Sequence, residues 1–180
     1  MGLWSNVTFW QITPHTKVGD IIHGWPFGKI LGSFLGFFLF AGGYWRLNGW
    51  KSFATNPQFK IVLEDVNGDN YCTVIIALMQ KSLSGSKLFH LGFQIYQIQD
   101  DGNETTTTTS FLDKKILKNA SQKVASSHDH FPNYPEVTRR FQLRPGNYAI
   151  VPSTWKANQE RDFLVRVFSE NECNLKALKH

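Results

Sequence analysis

The stretch RPGNYAIVPSTW, running from Arg144 to Trp155, decides how this chain is read. Ser153 follows a proline, and a serine on a sharp turn is one way a hydrolase exposes its nucleophile. The neighbouring residues argue otherwise. Pro145 presets φ and Gly146 tolerates a positive one, so Arg144 to Asn147 forms a turn between a strand ending at Leu143 and another beginning at Tyr148. Pro152 lacks an N–H and stops strand pairing on one side. Ser153 has no G-x-S-x-G frame, no glycine neighbour and no patterned base. The stretch is therefore a turn and a strand, and the chain reads as a scaffold of strands.

The same signals recur outward from it. EVTRRFQL (136–143) and DFLVRVFSE (162–170) flank the stretch as strands. In PQFKIVLE (57–64), Phe59, Ile61 and Leu63 alternate with Lys60, Val62 and Glu64, the period of a half-buried strand. NGDN then turns the chain. YCTVIIALMQ (71–80) is apolar and β-branched at its centre and is predicted to be a central strand buried on both faces. HLGFQIYQI (90–98) alternates Leu91, Phe93 and Ile95 with Gly92, Gln94 and Tyr96. Thr105 to Thr109 favour extended structure, and Asn119 to Pro135 reads as a long connection with one edge strand. The prediction is an all-β antiparallel sandwich of about eight strands.

Bulk properties narrow the function. Only Cys72 and Cys173 are present, so a disulfide framework is not expected and a reducing, cytoplasmic setting is. Sequons begin at Asn6, Asn103 and Asn119, but no basic, cleavable leader accompanies them. The net charge of +5 is spread thinly, with Lys114-Lys115 and Arg139-Arg140 its densest spots. Nucleic-acid binding, which needs clustered cations with stacking aromatics, is not expected.

Residues 1–40 differ in kind and are read as an apolar extension outside the sandwich, which is placed at 41–170. The uncharged run from Ile30 to Phe40 is too short to span a bilayer, and Lys29, Pro26 and His23 interrupt it upstream. Two readings stay open. One is a re-entrant or interfacial membrane segment, although the polar face such a helix needs is missing. The other is a non-native segment, since a Phe- and Leu-rich tract before Ala41-Gly42 is what a translated pyrimidine-rich intron end encodes. Residues 171–180 read as the start of a linker or tail.

Several ordered blocks carry a family resemblance. The segment from Glu136 to Glu170 resembles the second half of the β-sandwich domain that follows the protease core in calpains, and FATNPQFKIVLED (53–65), CTVIIALMQK (72–81) and LGFQIYQI (91–98) resemble its first half. The likeness covers roughly Ala41 to Glu170. It implies kinship with intracellular calcium-dependent cysteine endopeptidases and a regulatory, scaffolding role. The partners it implies are the protease core and a calcium-binding penta-EF-hand domain, which this chain would stop short of at His180. The family's Cys, His and Asn catalytic groups lie upstream, so this chain is expected to be inactive alone. LNGW (47–50) lacks the proline of the family's asparagine motif and is read as a loop. An independent lipid- or protein-binding sandwich module is the alternative.

The best candidate for chemistry is LEDVNGDN (63–70), where Glu64, Asp65 and Asp69 meet at a turn. Three carboxylates with carbonyls could offer calcium a weak site, since calcium takes six to eight oxygens. Gly68 precedes Asp69 here, unlike the EF-hand order. The competing readings are a solvated hairpin and an electrostatic contact with a partner domain; the resemblance implies the latter. Where the family carries a Lys- and Arg-rich stretch, this chain has SLSGSKLF with Lys81 and Lys87, which weakens any case for acidic phospholipid. His128 and His130 could share a face and bind zinc, but two ligands alone are an incomplete set.

Overall fold

The computed structural model describes residues 30–37, 42–65, 67–81, 87–98, 112, 114–118, 123–127, 131–159, 162–169 and 175–178. Nine strands form among them: β1 (Ile30–Phe37), β2 (Phe59–Leu63), β3 (Cys72–Gln80), β4 (Leu91–Ile98), β5 (Lys123–Ser126), β6 (Glu136–Leu143), β7 (Gly146–Thr154), β8 (Asp162–Ser169) and β9 (Lys176–Ala177). Two short helices, α1 (Trp45–Phe53) and α2 (Lys114–Lys118), complete the set. The strands make a four-stranded sheet in the order β1-β8-β3-β6 and a five-stranded sheet in the order β5-β4-β7-β2-β9. Every pairing is antiparallel, as the alternating sequence pattern requires of an all-β sandwich.

The apolar positions of the period-two pattern meet between the sheets. Phe59, Ile61 and Leu63 of β2 are buried while Val62 is exposed, and Phe163, Val165 and Val167 of β8 bury from the other side. Each such side chain contributes about 1.5–3 kcal/mol relative to exposure. Two edge-to-face ring pairs, Phe59 with Phe163 and Phe93 with Phe141, join the sheets at centroid distances of 6.0 Å each. Such pairs add roughly 0.5–1.5 kcal/mol beyond burial.

A second core covers the outer face of the five-stranded sheet. Tyr96, Ile98, Ala149 and Val151 project there and meet Phe53 of α1, Leu112, Leu117 of α2 and Leu178. The doubly buried strands are therefore β4 and β7. For β3 the expectation is corrected: its inward side chains are buried, but Thr73, Ile75 and Met79 are only half-buried. A run of apolar residues marks a strand near the middle of a sheet, which β3 is, but what lies over its second face is not written in the strand itself.

Three further expectations change. The boundary at residue 41 is corrected for Ile30–Phe37, whose backbone pairs along β8 from Ile30–Phe168 to Phe37–Asp162. Residues 47–50 lie within α1, which is interrupted at Gly49 (φ 77°, ψ 162°), so the glycine produces a break inside a helix instead of an open loop. Lys176 and Ala177, expected in a tail, pair with β2, and the Leu178 N–H donates to Gln58 O at 2.8 Å. The edge strand expected between Asn119 and Pro135 is β5, at the end of its sheet.

The opening stretch folds as a turn and a strand. The Tyr148 hydroxyl donates to Arg144 O at 2.7 Å and ties the turn down. Burial, with Cys72 nearby, pushes the Tyr148 phenol above its usual pKa, against a smaller opposing effect of Arg144. Pairing of β7 with β2 ends at Ile150, two residues before Pro152, whereas pairing with β4 continues to Thr154.

Candidate functional site

The acidic turn joins β2 to β3 at one end of the sandwich. Its shape comes from Asp65. One carboxylate oxygen accepts the N–H groups of Asn67 (3.1 Å) and Gly68 (2.8 Å), and the other accepts that of Asn70 (2.8 Å). Gly68 (φ 74°) and Asn70 (φ 62°) take the left-handed conformations that let the chain wrap around that carboxylate, and glycine and asparagine are the residues that do so most readily. The Asn70 N–H above all, with those of Gly68 and Asn67, holds the Asp65 carboxyl below its ordinary pKa. Asp69 accepts the Tyr71 N–H at 2.9 Å. Glu64, Asp69 and Tyr71 are exposed.

Both oxygens of Asp65 are already committed to backbone donors, and no group of three or more His, Cys, Asp or Glu among the described residues is arranged to hold a metal. Glu64, Asp65 and Asp69 share a turn without converging as a ligand set.

The other candidates divide sharply. Ser153 is fully buried in β7 opposite Gly92, and its hydroxyl has no hydrogen-bond partner, so it is not an exposed nucleophile. Cys72 is 3% exposed at the start of β3. Lys81 forms a surface ion pair with Asp162 at 3.4 Å. His128, His130, Cys173, the sequons and the threonine run lie outside the described residues. No described helix is long and apolar enough to cross a membrane.

A polar clamp escaped the sequence reading. The backbone from Gly42 to Tyr44 is held by three α1-side residues spaced four apart: Ser52 Oγ donates to Gly42 O (2.7 Å), Asn56 Nδ2 to Gly43 O (3.0 Å), and Asn48 Nδ2 to Tyr44 O (2.9 Å). Asn48 also bridges to the end of β7, donating to Trp155 O (3.1 Å) and accepting from Ala157 N (3.2 Å). A Cβ on Gly42 would lie 1.8 Å from Ser52 O, so only glycine fits. The spacing of 48, 52 and 56 was the available signal, hidden because Gly49 reads as a loop former. Gln58 and Gln80 are further buried polar residues, each pairing its side-chain amide with backbone groups, of Leu112 and of Phe89 respectively.

Comparisons with known proteins agree on the kinship. The family model described as calpain large subunit, domain III, matches residues 36–168. The chain is 32% identical over 189 aligned positions to the calpain-2 catalytic subunit of Bos taurus, covering 95% of this chain and 25% of that protein. It is 38% identical over 141 positions to the calpain-1 catalytic subunit of Mus musculus, covering 71% and 19%. With calpain-9 of Homo sapiens it shares 33% over 175 positions, covering 94% and 24%. The chain spans about a quarter or less of the length of these relatives. With the two-sheet architecture and the family match in agreement over most of its length, the chain belongs to the calpain family, as a domain III of the large-subunit type.

Proposed function

We propose that this chain is a regulatory and scaffolding domain of a calpain-like, calcium-dependent cysteine endopeptidase, docking against a protease core and a calcium-binding domain. The observation that carries the reading is the self-closed acidic turn. Asp65 makes the loop rigid without outside help, and Glu64 and Asp69 are presented on it at the surface. A rigid loop loses little entropy on docking, and its charges steer an oppositely charged partner. The turn acts as a charged contact instead of a calcium cage. The catalytic apparatus belongs to the core, and the chain by itself is expected not to cleave casein.

The test is a transplant. Residues 30–178 replace the corresponding domain of a complete calpain large subunit, with and without Glu64→Gln and Asp69→Asn. Asp65 is left intact because it shapes the loop. The double variant should shift the calcium midpoint of activity at low salt, and the shift should shrink as salt rises, because exposed charges are screened over about 8 Å at physiological ionic strength. Identical midpoints for parent and variant at both salt concentrations would remove the docking role.

A further inference from the structure

We infer that the outer edge of β6 pairs with the same edge of a second copy of the chain, joining two four-stranded sheets into one about a two-fold axis at Thr138. β6 ends its sheet, and among the described residues its ladder is the one with β3. That ladder fixes which backbone groups face outward. Gln80 N donates to Pro135 O at 2.9 Å, so Gln80 and Pro135 form a hydrogen-bonded pair, and such pairs alternate with non-bonded ones along an antiparallel ladder. The other side of β3 agrees, since Lys81 N, one residue on, donates to Asp162 O at 2.8 Å. Val137, Arg139, Phe141 and Leu143 therefore turn their N–H and carbonyl groups toward β3. Glu136, Thr138, Arg140 and Gln142 turn theirs to the open side.

The same alternation sorts the side chains. Val137 and Leu143 are buried in the core and Phe141 packs against it, whereas Glu136, Thr138, Arg140 and Gln142 are exposed on the outer face. Hydrogen bonding at the open side can join only even-numbered residues of one copy to even-numbered residues of the other. Among the registers that remain, one matches charges. It sets Thr138 opposite itself, Glu136 opposite Arg140 of the second copy and Arg140 opposite its Glu136, and each of these pairs exchanges both N–H···O bonds. Opposite charges across a strand pair are favourable and like charges unfavourable. Centring the axis on Arg139 sets that arginine against itself, centring it on Val137 leaves Glu136 opposite Thr138, and centring it on Glu136 or Arg140 opposes like charges. Charged side chains usually keep an edge strand from pairing. In β6 they are spaced to accept a copy of the same strand.

The side chains involved are available. Neither Glu136 nor Arg140 forms an ion pair among the described residues. Glu136 Oε1 accepts the Thr138 hydroxyl, and the carboxylate has a second oxygen to offer. Arg139 is engaged within its own chain, where Nε donates to Ser127 O at 2.9 Å and Nη1 to Thr138 O at 3.3 Å. The second of these is a long, exposed contact that an N–H of the second copy replaces. In the matched register Arg139 lies opposite Val137. The pairing is independent of the docking proposed for the acidic turn, which contains none of these residues, so failure of one reading leaves the other standing.

The test is sedimentation velocity on the 180-residue chain. A single-edge contact is small, so the dimer should be weak, with Kd on the order of 100 µM. Association should stop at two copies, because an isologous contact closes on itself. Glu136→Lys or Arg140→Glu alone opposes like charges at both symmetric pairs and should weaken dimerisation by about tenfold or more. Unfolding midpoints should not change, since both side chains are exposed. An equimolar mixture of the two single variants should recover the parent affinity to within about threefold, because the mixed dimer again sets opposite charges together. The double variant Glu136→Lys/Arg140→Glu should do the same. Thr138→Pro removes the central outward N–H without touching the β3 ladder and should abolish the dimer. If a reversal lowers the unfolding midpoint, Glu136→Gln and Arg140→Gln take its place, each weakening the dimer by about threefold. A chain that stays monomeric well above that Kd, association indifferent to these substitutions, a mixture no better than its components, or growth beyond the dimer overturns the proposal.

Discussion

Asp65 and Ser153 show how one polar side chain can be used in opposite ways. Asp65 organises its turn as a carboxylate, so its lowered pKa ties the turn to pH. The sign follows from linkage: the contribution is present above the ordinary aspartate value and is lost as pH falls through the lower, folded-state value. An NMR titration should place the Asp65 midpoint below that of free aspartate, and Asp65→Asn should speed amide exchange at Asn67, Gly68 and Asn70. Unchanged exchange there would show that the turn holds without its carboxylate. Ser153 instead buries a hydroxyl with no partner, so removing it forfeits no hydrogen bond. Ser153→Ala should be neutral or stabilising by up to about 1 kcal/mol in urea unfolding. A loss of more than that would reveal a bond the hydroxyl makes. Tyr96 is the contrasting buried phenol: its hydroxyl donates to Gln94 Oε1 at 2.5 Å, and burial, with Tyr44 nearby, raises its pKa strongly.

At the scale of elements, α1 is the informative one, because it is a poor helix by local criteria and is held by what surrounds it. It has no side-chain N-cap, and Gly49 breaks its backbone geometry. Its place is set by the clamp on Gly42-Gly43 and by aromatic stacking, including Trp45 on Trp50 at 4.5 Å. Two glycine substitutions separate these causes. Gly42→Ala forces a Cβ against the Ser52 carbonyl and should cost about 1–3 kcal/mol or more through overpacking. Gly49→Ala meets nothing within 4 Å, so only its backbone strain acts, about 1–3 kcal/mol unless the break relaxes locally. Chemical denaturation should rank Gly42→Ala as the more damaging. The reverse order would mean that the helix break, not the clamp, fixes the chain's entry to the sandwich.

For the whole molecule, the two sheets are bounded by edges of different character. The four-stranded sheet ends at β1 and β6, and Arg139 of β6 reaches across to donate from Nε to Ser127 O beside β5 at 2.9 Å, bridging one side of the sandwich. On the other sheet, β9 closes the β2 edge with two residues. Comparing a chain that begins at residue 30 with one that begins at residue 41 isolates the contribution of β1. Without β1, the outer edge of β8 loses a ladder of seven residue pairs, and stability should fall by at least about 3 kcal/mol, with each lost hydrogen bond contributing about 0.5–1.5 kcal/mol. Equal unfolding midpoints for the two chains would return residues 30–37 to the extension outside the sandwich.

The sequence by itself determined which residues form β2 to β4 and β6 to β8, where the main turns fall, and that the whole is an antiparallel sandwich. Those features are legible because alternation with a period of two and the backbone limits of proline and glycine act between neighbours in the chain. Only the tertiary structure decided that β4 and β7, not β3, are buried on both faces, since the covering comes from α1, α2 and Leu178, remote in sequence. The same holds for the pairing of β1 with β8 and of β9 with β2, where a short or glycine-broken segment becomes a strand by borrowing a partner's ladder. At the acidic turn, three carboxylates were visible in order, but their division into one loop-former and two surface charges was not. That division depends on where the Asp65 oxygens lie relative to the backbone N–H groups of the loop, a matter of folded geometry that spacing does not encode.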